Sequence, residues 1–396
     1  MTMRTKVVSG NAEGSASEVA AALEAVIRSG LGEDSPSLVL VFASTAQPLG
    51  DVVGPVAAAF PSASLLGAST AGEFTEAKDG KRSTTVFALS GDFRIFTGMS
   101  EGLARDPEAA IQKAIEGFPT EISGYPYRTA ILLLDPLAGN GEEATLIAAS
   151  LLGETVRLAG GAAGDDLKMK RTEVASGKTA ANDAVAIAVI FSKSPLGVGV
   201  CHGHRALSAP MRVTKAAGNV VEEVDGRPAW SVWLDATRAH AAARGADVDA
   251  MHKDEEGGYL LRYEAGLAAG RDLKIRAPLS RDERGAIHFA CGMPEGTVFR
   301  ITESVPERQI ESAREAARRA RAQLGDRAVA GAVVFDCICR NLILDKGFLR
   351  AIQGISSELG SVPVAGFETY GEIALDAGDL SGFHNTTSVV LAFAAE

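Results

Sequence analysis

The residues of this chain best suited to holding a small polar molecule lie late in the sequence. Phe335-Asp336-Cys337-Ile338-Cys339-Arg340 closes a continuous apolar run, which places Arg340 where a buried strand leaves its core. Alternation puts Cys337 and Cys339 on one face of that strand and Asp336 with Ile338 on the other. A guanidinium at such a position can grip a carboxylate through two parallel hydrogen bonds. It can equally pair with Asp336 or Glu372 and take no ligand. Gly366-x-x-Thr369-Tyr370-Gly371-Glu372 adds a hydroxyl and a carboxylate after a turn whose glycines let a ligand approach the backbone closely. His384 and Asn385 precede the last apolar run and complete a candidate cleft with Cys337. The same spacing occurs earlier as Gly67, Thr70, Gly72 and Glu73. With Asp165, which ends a shorter variant at Gly160-Gly161-Ala162-Ala163-Gly164, these residues form a second candidate site. The competing reading of both copies is a tight turn whose Thr and Glu bond only nearby backbone.

Two further groups could do chemistry. A thiol-dependent enzyme would use Cys337 as a nucleophile of low pKa, against the alternative of an inert buried cysteine. His202, in Cys201-His202-Gly203-His204, follows a strand-like run and could switch charge near neutral pH or ligate haem iron. The C-x-x-C-H attachment motif is absent, so that reading requires haem b held non-covalently. Nucleophile-elbow, zincin, Walker and kinase signatures are also missing, and the favoured reading is a non-enzyme with no cofactor.

These residues need a scaffold, and the repeated turn indicates one. A strand-like run, an amphipathic helix, a continuous apolar strand, a second helix, a Gly-rich turn and a closing strand recur three times, over about 5–91, 92–192 and 296–394. The opening runs are Lys6-Val7-Val8, Phe93–Phe96 and Val298–Ile301, and the central strands are Leu38–Phe42, Ala130–Leu134 and Ala332–Phe335. Ser17-Glu18, Asp106-Pro107 and Pro306-Glu307 are helix-start signals, with Gly30 read as lying just past the first helix. Helical stretches over 48–60, 141–152 and 346–359 follow the central strands. Continuous apolar strands between helices indicate an α/β fold of β-α-β-α-β-β units with strands buried on both faces. The span 193–295 matches no unit and reads as a linker plus the start of a second domain. The expected division is 1–222 and 223–396, with the first two units in the first domain and the third in the second.

Composition narrows the function classes. The 396 residues are 46 % hydrophobic and 22 % charged, as in a globular protein. A net charge of −11 disfavours nucleic-acid and anionic-membrane surfaces, and basic stretches such as Lys168–Arg171 are short. No apolar run has the roughly 20 residues of a membrane helix, and the N-terminus lacks a secretory leader. The four cysteines, 201, 291, 337 and 339, show no disulfide framework, so a cytoplasmic protein with reduced thiols is expected.

Several of these segments, taken in order, resemble the FIST family of bacterial signal-transduction sensory domains. Leu65–Glu73, Leu158–Asp166, His202-Gly203 and Val213-Thr214-Lys215 are similar to its N-terminal domain. Val224–Ala229 resembles the junction, and Met293–Gly296, Phe335-x-Cys337-x-x-Arg340, Gly366–Glu372 and His384-Asn385-Thr386 are similar to its C-terminal domain. The resemblance implies a cytoplasmic sensor of a small molecule such as an amino acid or another small carboxylate. Arg340 would then clamp the carboxylate, while Glu372 and Asn385 would take an amino or hydroxyl group. Relatives often carry kinase, cyclase or chemoreceptor outputs on the same chain; this sequence shows none. The expected output is therefore a separate protein, such as a histidine kinase or a cyclic-di-GMP enzyme, and a homodimer is compatible with the resemblance. Some relatives are haem-binding nitric-oxide sensors; here His204 replaces the Trp of the usual His-Gly-Trp, which weakens that alternative for His202.

Overall fold

The computed structural model describes residues 4–139, 141–270, 272–375 and 382–395; Met1–Met3, part of the stretch read for a leader, lie outside it. The first unit runs β1 (Lys6–Glu13), α1 (Ala16–Leu31), β2 (Leu38–Ala43), α2 (Leu49–Ala59), β3 (Ser64–Ser69), β4 (Glu73–Thr75), β5 (Asp79–Gly80) and β6 (Ser83–Ser90). Ser15 caps α1 in a capping box with Glu18, and Gly32, at φ 65°, ends it. Gly30 lies inside that helix, where a Cβ would come 2.3 Å from Val8 Cγ2. The second unit repeats the order as β7 (Arg94–Glu101), α3 (Pro107–Ala114), β8 (Tyr127–Leu134), α4 (Gly141–Leu152), β9 (Arg157–Ala162), β10 (Val174–Ser176), β11 (Thr179–Ala181) and β12 (Ala184–Ser192).

The third unit opens with β13 (Gly197–His202), not with Val298–Ile301. β13 pairs antiparallel with the final strand from Gly197↔Ala392 to His202↔Thr387, as β1 pairs with β6 and β7 with β12. An inserted subdomain then follows: β14 (His204–Ala206), β15 (Met211–Ala217), β16 (Val220–Val224), β17 (Arg227–Pro228), α5 (Ala229–Ala242), α6 (Glu256–Arg262), β18 (Ala265–Ala269), β19 (Asp272–Arg276), β20 (Pro278–Arg281), β21 (Ile287–Phe289) and β22 (Val298–Ser304). Val298–Ile301 belongs to β22, inside the nine-stranded sheet of this insertion. The expected boundary at 222–223 falls within β16. The unit resumes with α7 (Pro306–Ala322), β23 (Val329–Cys337), α8 (Ile338–Leu344), α9 (Phe348–Glu358), β24 (Val364–Thr369), β25 (Glu372–Leu375), β26 (Phe383–His384) and β27 (Thr387–Ala394). A β-run followed by a Pro-started helix looks alike whichever sheet the run joins, so local pattern misplaces this strand.

Each unit builds a sheet from its first, last and two central strands, and each gives its β-hairpin to another unit. β10–β11 extend the first sheet beside β3, β25–β26 extend the second beside β9, and β4–β5 extend the third beside β24. The three sheets face inward on one shared core, and their helices cover the outside. Phe42 sits 4.7 Å from Phe367 and 6.3 Å from Phe335, ring centre to ring centre, which ties the first sheet to the third.

The repeated Gly-x-x-Thr-x-Gly-Glu is the crossing point of this exchange. A Cβ on Gly67 or Gly366 would come 2.8 or 2.0 Å from the carbonyl oxygen of Val41 or Val334 on the neighbouring strand. The crossings interlock through Ala71 N–H to Glu368 O (3.1 Å), Gly164 N–H to Ser69 O (2.8 Å) and Tyr370 N–H to Ala162 O (3.1 Å). The spacing repeated within the chain is thus the one at which the chain crosses between sheets.

Candidate functional site

Parallel strands of α/β sheets commonly bind ligands beyond their carboxyl ends. In the third unit β23 stops at Cys337 and turns directly into α8, while β24 stops at Thr369 and hands over to Tyr370. Beyond these ends opens a cavity of about 550 Å³. Cys337, Ile338, Cys339, Tyr370 and Asn385 form its floor, and Gly257, Gly258 and Leu261 of α6 with Ala277–Leu279 and Ala290 cover it from the insertion. Pro136 and Leu137, after β8, and Leu167 and Met169, after β9, close the remaining side.

Among the described residues, no charged side chain lines this cavity. Leu137, Leu167, Met169, Leu279 and Leu342 line it while remaining 41–53 % exposed, a ring of uncovered aliphatic groups drawn from several elements around one opening. Single exposed aliphatics are ordinary, but their convergence on an apolar cavity is the mark of a ligand or partner site.

The loop 165–171 shapes one wall. Asp165 accepts the backbone N–H groups of Met169 (2.8 Å), Lys170 (2.6 Å) and Arg171 (3.0 Å) and the hydroxyl of Tyr370 (2.7 Å). Burial opposes ionisation of Asp165, but these donors outweigh it and hold its carboxyl below the ordinary value. Tyr370 Oη in turn accepts the N–H of Leu167 (2.7 Å), so the tyrosine pins the loop with its hydroxyl and shows its ring to the cavity. Asp166, Leu167 and Met169 all have positive φ (55°, 62° and 52°), held there partly by the Asp166 carboxylate, which accepts Ser44 Oγ (3.3 Å), Thr45 N–H (3.2 Å) and Thr45 Oγ1. Asn385 is nearly fully buried; its Oδ1 accepts Cys291 Sγ and Ala277 N–H, each at 3.4 Å.

Of the residues singled out in the sequence, the structure thus brings Cys337, Tyr370 and Asn385 together and places the others elsewhere. Arg340 is not at a strand exit but on α8, fully buried, four residues after Asp336 near the end of β23. It donates to Asp336 Oδ1 (2.8 Å), Ser312 Oγ (2.8 Å), the carbonyl of Gln309 (2.9 Å) and Gln309 Oε1, which fastens α7 to the end of β23. Glu372 accepts Thr369 Oγ1 (2.5 Å) and both the N–H (3.0 Å) and hydroxyl (2.9 Å) of Thr387; burial pushes it up to about 7. His384 Nε2 lies 3.0 Å from the carbonyl of Ala374, and burial pushes the ring down to about 4. Gly366 and Gly371 serve the close approach of Val334 O and Phe383.

The second candidate site divides in the same way. Thr70 bonds Glu73, whose other oxygen accepts Ser83 Oγ (2.8 Å); burial pushes Glu73 up to about 8. Gly72 packs on the Glu368 carboxyl. Only Asp165 reaches a cavity there, one of about 320 Å³ shared with Ser44, Thr45, Lys168 and Lys170.

His202 has both ring nitrogens occupied: Nδ1 accepts the N–H of His204 (3.2 Å) and Nε2 meets Asp272 Oδ1 (3.1 Å). The groove beside it, about 340 Å³, is walled by Arg308, Glu311, Glu315 and Arg318, which offers a porphyrin no apolar slot. No group of three or more His, Cys, Asp or Glu side chains is arranged for a metal among the described residues. Burial, and then the neighbouring Cys339, raises the Cys337 thiol well above its usual range, the opposite of an activated nucleophile.

Residues that line the cavity without being foreseen are Leu137, Leu167, Met169, Leu261, Leu279 and Leu342. Leu137, Leu167 and Met169 share one sequence signal, an aliphatic residue set among polar ones after a strand, whereas Leu261, Leu279 and Leu342 lie within α6, β20 and α8 and look like core.

Comparison with known families decides the assignment. The FIST N domain matches residues 37–227 and the FIST C domain residues 231–375. The chain belongs to the FIST family. FIST domains are small-ligand sensory domains of signal transduction. In this FIST protein the first match ends at the first strands of the insertion, and the second covers most of the insertion and the central strands of the third unit. No curated protein matches the chain. A solved structure, a cyanuric acid hydrolase from A. caulinodans, is similar over 99 % of this chain and 100 % of its own, at 9 % identity and a TM-score of 0.31, a likeness too low to bear on fold or activity. No helix among the described residues is long and apolar enough to cross a membrane.

Proposed function

We propose that this FIST protein is a non-enzymatic sensor of a small, uncharged and largely apolar molecule, held in the cavity beyond β23 and β24. One observation carries the reading: a cavity with no charged side chain among its described lining residues, ringed by exposed aliphatic side chains. An amino acid or simple carboxylate would bury its charge there without a counter-ion, which costs several kcal/mol. Thus the cavity favours an aromatic or aliphatic group bearing at most a hydroxyl or amide for Asn385.

The walls suggest how occupancy is relayed. Loop 165–171 and α6 both contribute to the lining, and a ligand binding one arrangement of them more tightly shifts the population toward it. A separate cytoplasmic signalling protein, such as a histidine kinase or a cyclic-di-GMP enzyme, would read that difference.

The test is a thermal-shift screen of neutral aromatic and aliphatic amides and alcohols against amino acids and small carboxylates. It is repeated on Gly257→Trp, which adds bulk at a position where a Cβ meets nothing within 4 Å. Neutral compounds are expected to raise the melting temperature of the natural protein and not of the variant. Stabilisation by carboxylates alone, or equal stabilisation of both proteins, removes the cavity from the account.

A further inference from the structure

The cavity floor carries a feature that ligand sensing by shape does not use. Cys337 ends β23 and Cys339 stands in the first turn of α8, so the chain bends from strand to helix between them. Both residues line the same cavity and pack together in one small apolar cluster with Ile338 and Ala277. They are 3 % and 7 % exposed, reached from the cavity rather than from the outer surface. All four cysteines are free thiols, but the other two are placed differently: Cys291 is turned onto Asn385, and Cys201 lies by the charged groove of His202.

Two neighbouring soft donors, with no third His, Cys, Asp or Glu grouped with them among the described residues, suit an acceptor that takes two sulfurs. Hard cations find no carboxylate among the described residues of this lining. A single-thiol electrophile gains nothing from the pair and needs a thiolate that this burial disfavours. An acceptor whose remaining substituent is apolar would place that substituent in the surrounding aliphatic and aromatic walls, against Leu261, Leu279 and Tyr370.

We infer that Cys337 and Cys339 form a dithiol site for a soft electrophile that bridges two sulfurs and carries one apolar group, the class represented by monosubstituted trivalent arsenicals. With an arsine oxide the step balances: two S–H bonds and the arsenic–oxygen bond break and two As–S bonds form. The oxide oxygen leaves with both thiol protons as water, and arsenic stays trivalent. The inference rests on the cavity being the ligand site, since the same walls receive the substituent.

Phenylarsine oxide is the probe, added to the folded full-length chain, with intact-mass and peptide-mapping readouts and competition by an excess of a monothiol. One phenylarsenic per chain is expected, gained with loss of water, resistant to the monothiol, and mapped to the peptide containing both Cys337 and Cys339. Cys201→Ser/Cys291→Ser should retain it, and Cys337→Ser or Cys339→Ser should weaken retention at least about tenfold, the loss of one of two bridging bonds. Mapping on the natural chain stands even where a serine variant fails to fold. An adduct on Cys201 or Cys291, or one formed only after denaturation, overturns the inference. Binding of neutral ligands without arsenical capture sinks the dithiol site and leaves the sensing proposal standing; capture without neutral-ligand binding does the reverse.

Discussion

Replacing Arg340 by alanine separates a structural guanidinium from a ligand clamp. Arg340 and Asp336 are both fully buried, 2.8 Å apart, and three further contacts from Arg340 reach Gln309 and Ser312 on α7. Removing one partner of a buried ion pair leaves the other uncompensated and costs about 3–5 kcal/mol. The sign of its pH dependence is fixed by Asp336. Burial already raises that carboxyl and Arg340 pulls it back down; without Arg340 it rises further. A folded value above the unfolded one gives stability that is present in acid and lost as pH rises. The Arg340→Ala deficit should therefore be larger at pH 8 than at pH 5. Urea denaturation followed by far-UV circular dichroism at the two pH values, with Asp336→Ala and the double variant completing a cycle, measures it. The double variant should cost less than the sum of the single ones. An Arg340→Ala protein as stable as the parent, with equal midpoints at both pH values, would refute the reasoning and return Arg340 to consideration as a ligand group.

Two other expectations follow from the same kind of geometry. Glu73, pushed up to about 8 by burial, keeps a proton in the folded state that the unfolded chain releases near 4.5, so it lowers stability as pH rises through that interval. Glu73→Gln should flatten this slope and gain on the order of 1–4 kcal/mol at pH 8 relative to pH 5, read from denaturation midpoints; an unchanged slope contradicts the buried acid. Asp166 holds loop 165–171 to Ser44 and Thr45 at positive φ. Asp166→Ala should cost about 1–3 kcal/mol and speed amide exchange at Leu167–Arg171, whereas Asp166→Asn, which tolerates this backbone, should cost less; identical exchange in both variants rules out the tether.

Much of the frame was legible because it is written in local periodicity. The apolar runs at Leu38–Phe42, Ala130–Leu134 and Ala332–Phe335 are central strands, and the helices at 48–60, 141–152 and 346–359 lie within a residue or two of their observed bounds. What local pattern does not carry is partnership. Neither the exchange of hairpins between units nor the pairing of β13 with β27 across the insertion leaves a trace in neighbouring residues. The same limit explains the site. Arg340 and Glu372 stand where a strand end and a turn suggest a ligand, yet their partners, Gln309, Ser312 and Thr387, come from elements that only the fold brings near. Cys337, Tyr370 and Asn385 do reach the cavity, but its character is set by single leucines and a methionine from separate loops, helices and a strand, whose convergence is a property of the third dimension.

A neutral guest in the cavity would lie against Met169, which lines it while remaining exposed and so reports on occupation directly. With methyl-labelled methionine, titration of a neutral compound that stabilises the protein should shift the Met169 methyl resonance along a saturating curve matching the binding isotherm, while Met99 and the buried Met293, away from the lining, stay in place. Saturable binding with Met169 unmoved would contradict occupation of this cavity.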